Sequence, residues 1–207
     1  MPHAQQISRL ILASGSVYRS ELLSRLHLPF ESIAPDIDES ALKNELPEQT
    51  ALRLAEQKAV AIAKNYPNSI IIGSDQVATL EGEHIGKPGT HDAALKQLQK
   101  MRGKSVIFHT ALCLLDNRLD GNMKQNAYAI QTENVQTLVG FRQLSDGELD
   151  AYLRIERPYD CAGSAKNEGL GITIIEKIVS NDPTALTGLP LISLTSMLRN
   201  IGIPFYN

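Results

Sequence analysis

Five short stretches of the sequence carry residue types able to handle a polyanion. Ser14-Gly15-Ser16-Val17-Tyr18-Arg19 follows the apolar run Arg9–Ala13 and precedes a leucine-spaced segment. Small residues at such a junction let backbone N–H groups approach an anion at a helix N-terminus, and Arg19 adds a planar cation with fork geometry. Gly73-Ser74-Asp75-Gln76 comes directly after Ile70-Ile71-Ile72. That order sets Asp75 at the carboxyl end of a buried strand, where α/β folds place ligands, and Gly73 permits close approach of backbone or ligand. In Gly86-Lys87-Pro88 the proline restricts Lys87 to an extended conformation and directs its ammonium. Asp36-Ile37-Asp38-Glu39 puts three carboxylates in four residues, a ligand type suited to a hard divalent cation. Cys161 to Gly169 is rich in small residues, can wrap a ligand, and presents Lys166 and Glu168. Each stretch alone also reads more plainly, as a capped turn, a solvated lysine or an acidic loop. Their order along one chain is what points to a site.

The elements that must position these residues alternate between strand and helix. Arg9–Ala13 reads as a buried strand entering a turn, and Leu22, Leu23 and Leu26 have helical spacing over 17–26, closed by Pro29. Phe30–Ala34 reads as a second short strand, with the acidic stretch on a loop. Residues 48–64 give the clearest helix, with Leu52, Ala55, Ala59 and Ile62 on one face. Ser69–Gly73 is a strongly aliphatic strand, and Val77–Ile85 reads as a hairpin around Glu81-Gly82-Glu83. Thr90 caps a helix over 91–101 that Gly103 ends. Val106–Leu115 and Tyr128–Gly140 are expected to pair around the turn Asp120-Gly121-Asn122. Ser145 and Glu148 form a capping box for a helix to about residue 155. Gly169–Val179 reads as a strand, and Pro190 opens a last helix over 190–200. The expectation is an α/β fold in a single domain over 1–207, with long antiparallel strands in its second half.

Composition bounds the function. The chain has 207 residues, 43% hydrophobic and 21% charged, close to the globular average, which argues against a disordered or fibrous chain. Its formal net charge of −3 lacks the bulk signature of a nucleic-acid polymer or anionic-membrane binder. Cys113 and Cys161 are the two cysteines, without CxxC spacing. A reducing cytoplasm is the simplest home for them, and each reads as a small apolar residue. No basic segment precedes a long apolar run at the N-terminus, and Ile70-Ile71-Ile72 is far short of a membrane span. Gly82 to Pro88 superficially resembles a P-loop, but it is one residue short and has Pro88 where a hydroxyl must hold Mg²⁺. The dinucleotide fingerprint, the GxSxG elbow and HExxH are absent. The histidines His3, His27, His84, His91 and His109 are scattered rather than spaced as metal ligands.

Ser14-Gly15-Ser16-x-x-Arg19, Asp38-Glu39, Leu54-Ala55-x-x-Lys58-Ala59, Gly73-Ser74-Asp75, Gly86-Lys87-Pro88, Ala162-Gly163 and Gly188-Leu189-Pro190 together resemble the Maf family of nucleotide pyrophosphatases. The resemblance runs from about residue 8 to 200. Gly-Ser-Asp-Gln at 73–76 and Gly-Ser-x-Lys-x-Glu-Gly at 163–169 are similar to the branch acting on 7-methyl-GTP. Val17 stands where the family usually has Pro, and Ser20 where a second basic residue often follows Arg19. The resemblance implies a metal-dependent hydrolase cutting between the α- and β-phosphates of a nucleoside triphosphate. It also implies an elongated mixed sheet with flanking helices, two lobes around a cleft, related to the ITPase fold, and commonly a homodimer.

With that expectation the residues take roles. Arg19, Lys58 and Lys87 form a phosphate clamp, with Ser14 and Ser16 at the same turn and Lys87 counted among the catalytic groups. Glu39, with Asp38, holds Mg²⁺ or Mn²⁺ through oxygen ligands. Asp75 is the general base, a metal ligand, or both. N7-methylated guanine is cationic, so Tyr18 supplies an aromatic face, Glu168 an acceptor for the N1–H and N2–H₂ edge, and Gln76 and Lys166 further polar contacts. Rival readings are the same reaction on dTTP, UTP or modified pyrimidine triphosphates, and a nucleotide-binding regulator of cell division.

Overall fold

The computed structural model of the protein describes residues 9–118 and 129–206. Strand β1 (Arg9–Ala13) runs into helix α1 (Val17–Ser24), and the two-residue β2 (Glu31–Ser32) lies parallel to β1. Helix α2 (Pro47–Ala63) returns the chain to β3 (Ser69–Leu80), which is parallel to β1 over residues 69–73. Glu81 and Gly82 both have positive φ, the requirement of a tight two-residue hairpin, and turn β3 into β4 (Glu83–Ile85). Helix α3 (His91–Met101) leads to β5 (Ser105–Asp116) and β6 (Ala129–Phe141), antiparallel partners over twelve pairs. Helix α4 (Asp146–Glu156), β7 (Ile175–Ser180) and helix α5 (Leu191–Asn200) complete the chain. The sheet order is β2-β1-β3-β5-β6-β7, with β4 also on β3. The expected turn at 120–122 lies outside the described residues.

Strand periodicity sorts the core. Even-numbered residues of β3, Ile70 and Ile72, pack with Leu22 and Leu23 of α1 and Leu194 and Leu198 of α5. Farther along that face Ala78 and Leu80 pack with Leu98 and Met101 of α3 and Leu149 and Leu153 of α4. The opposite face carries Ile71 against Ala51, Ala55 and Ala59 of α2. Two helical clusters on one face and α2 on the other thus share one sheet, joined by the long strands β3, β5 and β6, and the cleft is lined by residues of α1, α2, β3 and β6. Cys113, buried at β5, has its thiol pushed up to about 12 by burial and so stays an inert apolar residue. No helix of the described residues is long and apolar enough to cross a membrane.

Three expectations need correction. The strand read over Phe30–Ala34 is only the two-residue β2. The strand read over 169–179 is a strand only from Ile175; residues 162–164 and 170–173 are short 3₁₀ turns. Gly171 explains this local collapse: a Cβ there would lie 2.4 Å from the Lys166 carbonyl oxygen, so the chain folds back on itself where an extended strand would hold the two apart. The aliphatic run at 70–72 does not end at Gly73 either, because β3 continues to Leu80. What ends is its neighbour. β1 pairs with β3 only as far as Gly73, and β4 takes up the same edge at Ala78. Ser74–Val77 therefore have β5 on one side and no strand on the other among the described residues.

Candidate active site

The break in the sheet edge forms part of a cleft of about 1020 Å³. Gly73 sets its geometry. A Cβ at this position would lie 2.0 Å from the Ala55 carbonyl oxygen, so glycine lets α2 settle directly on β3. One turn farther along α2, Lys58 is 5% exposed. Its Nζ donates to Asp75 Oδ1 at 2.6 Å and pairs with Glu39 Oε1 at 2.9 Å. Burial pushes the Asp75 carboxyl above its ordinary pKa against the pull of Lys58 and Arg19. Burial also pushes Glu39 up, but the hydrogen bond and charge of Lys58, with Lys87 and Arg19, outweigh it and hold Glu39 low.

Helix α1 brings the second cation. Ser14 Oγ accepts from the Ser16 amide at 3.1 Å, and Ser16 caps the helix by accepting from the Arg19 amide. The amides of Gly15, Val17 and Tyr18 meet no protein acceptor among the described residues, the arrangement that suits a phosphate at a helix start. Arg19 Nε donates to the Gly188 carbonyl at 2.9 Å and its Nη1 lies 3.4 Å from Ser14 Oγ. Burial lowers its pKa while Asp75 and Glu39 raise it. Lys87, exposed after β4, lines the same cleft. Three cations thus surround two carboxylates.

The other end of the cleft is lined by Tyr18, Asp160, Cys161, Asn167 and Glu168. Lys166 stands behind them, its Nζ 3.5 Å from Asp160 Oδ1 and 5.6 Å from the Tyr18 ring centroid. The Tyr18 hydroxyl and the Asp160 charge hold the Lys166 ammonium above its ordinary range in spite of burial. Burial pushes the Cys161 thiol up to about 12, with Asp160 adding to it.

Asp38 departs from its expected place, while Gln76 is in the cleft but with its amide nitrogen already used. Asp38 is not on this cleft but on a separate depression with Arg53, Gln57 and Lys64, its Oδ1 accepting from the Ser40 amide at 2.9 Å. Outside any helix, adjacent residues diverge to opposite sides, and only Glu39 reaches Lys58. Gln76 lines the cleft, yet its Nε2 is spent on Thr110 Oγ1 and on the carbonyls of Ala185 and Leu186, at 2.9–3.1 Å. It anchors a loop, leaving Oε1 as the atom able to meet a ligand.

Other contributors carry weaker sequence signals. Asp182 accepts from the Thr184, Ile192 and Ser193 amides, capping α5 and fixing the loop that presents Gly188. Glu45 takes Arg53 bidentately at 2.6 and 2.7 Å and also accepts from the Leu42 amide, while Arg53 donates to the Ser40 carbonyl. This pins the 40–45 segment to α2 and delivers Glu39 to Lys58. Arg53 holds Glu45 down to about 2. A depressed carboxylate stabilises the fold above its unfolded pKa and loses that contribution as pH falls through the folded value. The thermal midpoint of the protein is therefore expected to drop between pH ~4.5 and ~2 by more than that of Glu45→Gln. Parallel curves for the two proteins would remove this anchor.

Fold and cleft together define an α/β protein whose sheet edge is interrupted at a carboxylate ringed by cations, an arrangement whose charge suits a small polyanion. The signature of the family described as Maf-like protein matches residues 9–201, and the chain belongs to that family. It is 57% identical to a 7-methyl-GTP pyrophosphatase of Cupriavidus pinatubonensis, over 97% of this chain and 96% of the relative. With a protein of the same name from Ralstonia nicotianae it shares 58% identity, over 95% of this chain and 97% of the other. Among solved structures, the Ham1 protein of Staphylococcus aureus aligns with a TM-score of 0.40 at 17% identity, over 65% of this chain and 72% of that one.

Proposed function

We propose that the protein is a nucleoside triphosphate pyrophosphatase that hydrolyses the α–β phosphoanhydride of 7-methyl-GTP to 7-methyl-GMP and pyrophosphate. The observation that carries the reading is the buried Lys58 ammonium bridging Asp75 and Glu39 in a cation-ringed cleft. The names of the curated relatives supply the base.

In this reading the triphosphate lies along the α1 turn. Arg19, already oriented by Gly188 and Ser14, and Lys87 neutralise its charge, and the free amides of the turn add fixed dipoles. Asp75 takes the proton of the attacking water, and burial suits it to that task by making its carboxylate more basic. Lys58 keeps Asp75 aimed and compensates its charge. Tyr18 and Glu168 meet the base.

Glu39 and Asp75 fit a divalent cation such as Mg²⁺ or Mn²⁺. Each spends one oxygen on Lys58, and the second has no protein partner among the described residues. No third acidic, histidine or cysteine side chain joins them among the described residues. The protein would thus supply two hard carboxylates, and phosphate oxygens and water the remainder. When bound, the cation supplies Lewis acidity toward the phosphate oxygens.

A panel of 7-methyl-GTP, GTP, dTTP and UTP, assayed for pyrophosphate release with Mg²⁺ or Mn²⁺ present, tests the function. The expected result is the highest kcat/KM on 7-methyl-GTP with equal amounts of monophosphate and pyrophosphate. Orthophosphate as the first product, or a pyrimidine preference, overturns it. The same reading has the enzyme in the cytoplasm and as a homodimer, and light scattering on the purified protein measures the second of these.

A further inference from the structure

The base end of the cleft already holds a cation, and the protein supplies it. Lys166 Nζ stands over the Tyr18 ring at 5.6 Å from its centroid and 3.5 Å from Asp160 Oδ1, while Asp160 Oδ2 lies 3.4 Å from the Tyr18 hydroxyl. The Lys166 side chain is 18% exposed and that of Asp160 61%, so the lysine is tucked in and the carboxylate stays open to the cleft it lines.

Separate anchors hold the three members. Tyr18 sits in the capped first turn of α1. Asp160 follows Tyr159, whose hydroxyl donates to the Leu153 carbonyl at 3.2 Å and contacts His91 Nδ1 at 3.1 Å; His91 Nε2 meets Asp150 at 2.7 Å. The Lys166 backbone is clasped by Gly171. The arrangement is therefore built in before any nucleotide arrives.

We infer that Tyr18 and Asp160 form a cation seat that Lys166 fills in the free protein and that the substrate base takes by displacing it. The inference rests on the 7-methyl-GTP reading and adds a reason for the choice. A cationic purine exchanges one positive charge for another on the aromatic face and leaves Asp160 paired. A neutral base pushes Lys166 off and offers Asp160 no charge in return, so it bears the cost of that lost pair. Discrimination is by charge, and Asp160 is a specificity-determining residue. Because Asp160 is largely exposed, water screens part of the effect, and the expected discrimination is about tenfold.

The experiment compares wild type, Asp160→Asn, Asp160→Glu and Lys166→Met on 7-methyl-GTP and GTP, which differ by one methyl group and one charge. Asp160→Asn is expected to lower the 7-methyl-GTP to GTP ratio of kcat/KM about tenfold, and Asp160→Glu to restore most of it. Lys166→Met is expected to improve kcat/KM on both nucleotides by a similar factor, because the displacement it removes is common to them, and to leave the ratio near that of wild type. Calorimetry with 7-methyl-GMP and GMP reads the seat without turnover: the wild-type preference for the methylated nucleotide shrinks as salt rises and is lost in Asp160→Asn. A wild-type ratio and preference retained in Asp160→Asn, or GTP unimproved by Lys166→Met, overturns the seat while leaving the activity standing. A wild type that does not cleave 7-methyl-GTP sinks the activity and the seat together.

Discussion

Asp75→Asn is expected to lower turnover by ~10²-fold or more and to change nucleotide affinity by less than about fivefold. The substitution keeps the side-chain volume and leaves an amide oxygen that still accepts from Lys58, so the floor of the cleft is preserved. It removes the negative charge and the proton acceptor at the one residue of β3 that meets Lys58 in the broken sheet edge. Arg19, Lys87 and the α1 turn remain, and these carry ground-state binding of the phosphates. Steady-state kcat on 7-methyl-GTP, with calorimetric affinity for 7-methyl-GMP, separates the two effects. Wild-type turnover in this variant would take Asp75 out of the mechanism. Loss of affinity in step with kcat would make it a binding residue instead.

Strand and helix periodicity made most of the architecture legible. β1, α2, α3, the β5–β6 pair, α4 and α5 lie within a few residues of their expected bounds, because each has a continuous apolar stripe against the sheet. The expected second strand shrinks to Glu31–Ser32 and the seventh loses its first half. In the second of these places tight local turns, not side-chain periodicity, decide the path. The cleft residues were recognisable as types in order along the chain, but not the way they meet. Asp75 was placed at the end of its own strand, whereas it is the partner strand that stops, a property of pairing that no single segment encodes. Asp38 and Glu39 look equivalent in sequence; they part to opposite sides of the chain, and the Glu45–Arg53 clasp that pins the following segment to α2 comes from residues well outside the pair. Asp160 carries no motif of its own. Its place beside Tyr18 and Lys166 joins parts of the chain more than 140 positions apart in sequence.

The same dependence on close approach makes Gly73 the most sensitive position in the fold. Gly73→Ala is expected to destabilise the protein by about 3 kcal/mol, read as a fall in thermal midpoint of roughly 6–12 °C. The added methyl would meet backbone, 2.0 Å from the Ala55 carbonyl oxygen, and also lie 3.1 Å from Ala59 Cβ. No flexible side chain is there to yield, so α2 must lift from β3. Lys58 rides on that helix, and its short contact with Asp75 lengthens as the helix moves. Activity at 25 °C should therefore fall by more than the unfolded fraction accounts for. Gly147→Ala, in the first turn of α4 with nothing within 4 Å of the new Cβ, is the control, and is expected to be neutral or slightly stabilising. If urea denaturation gives the two variants equal midpoints, the packing of α2 on β3 does not depend on the missing side chain. The placement of Lys58 against Asp75 would then need another cause.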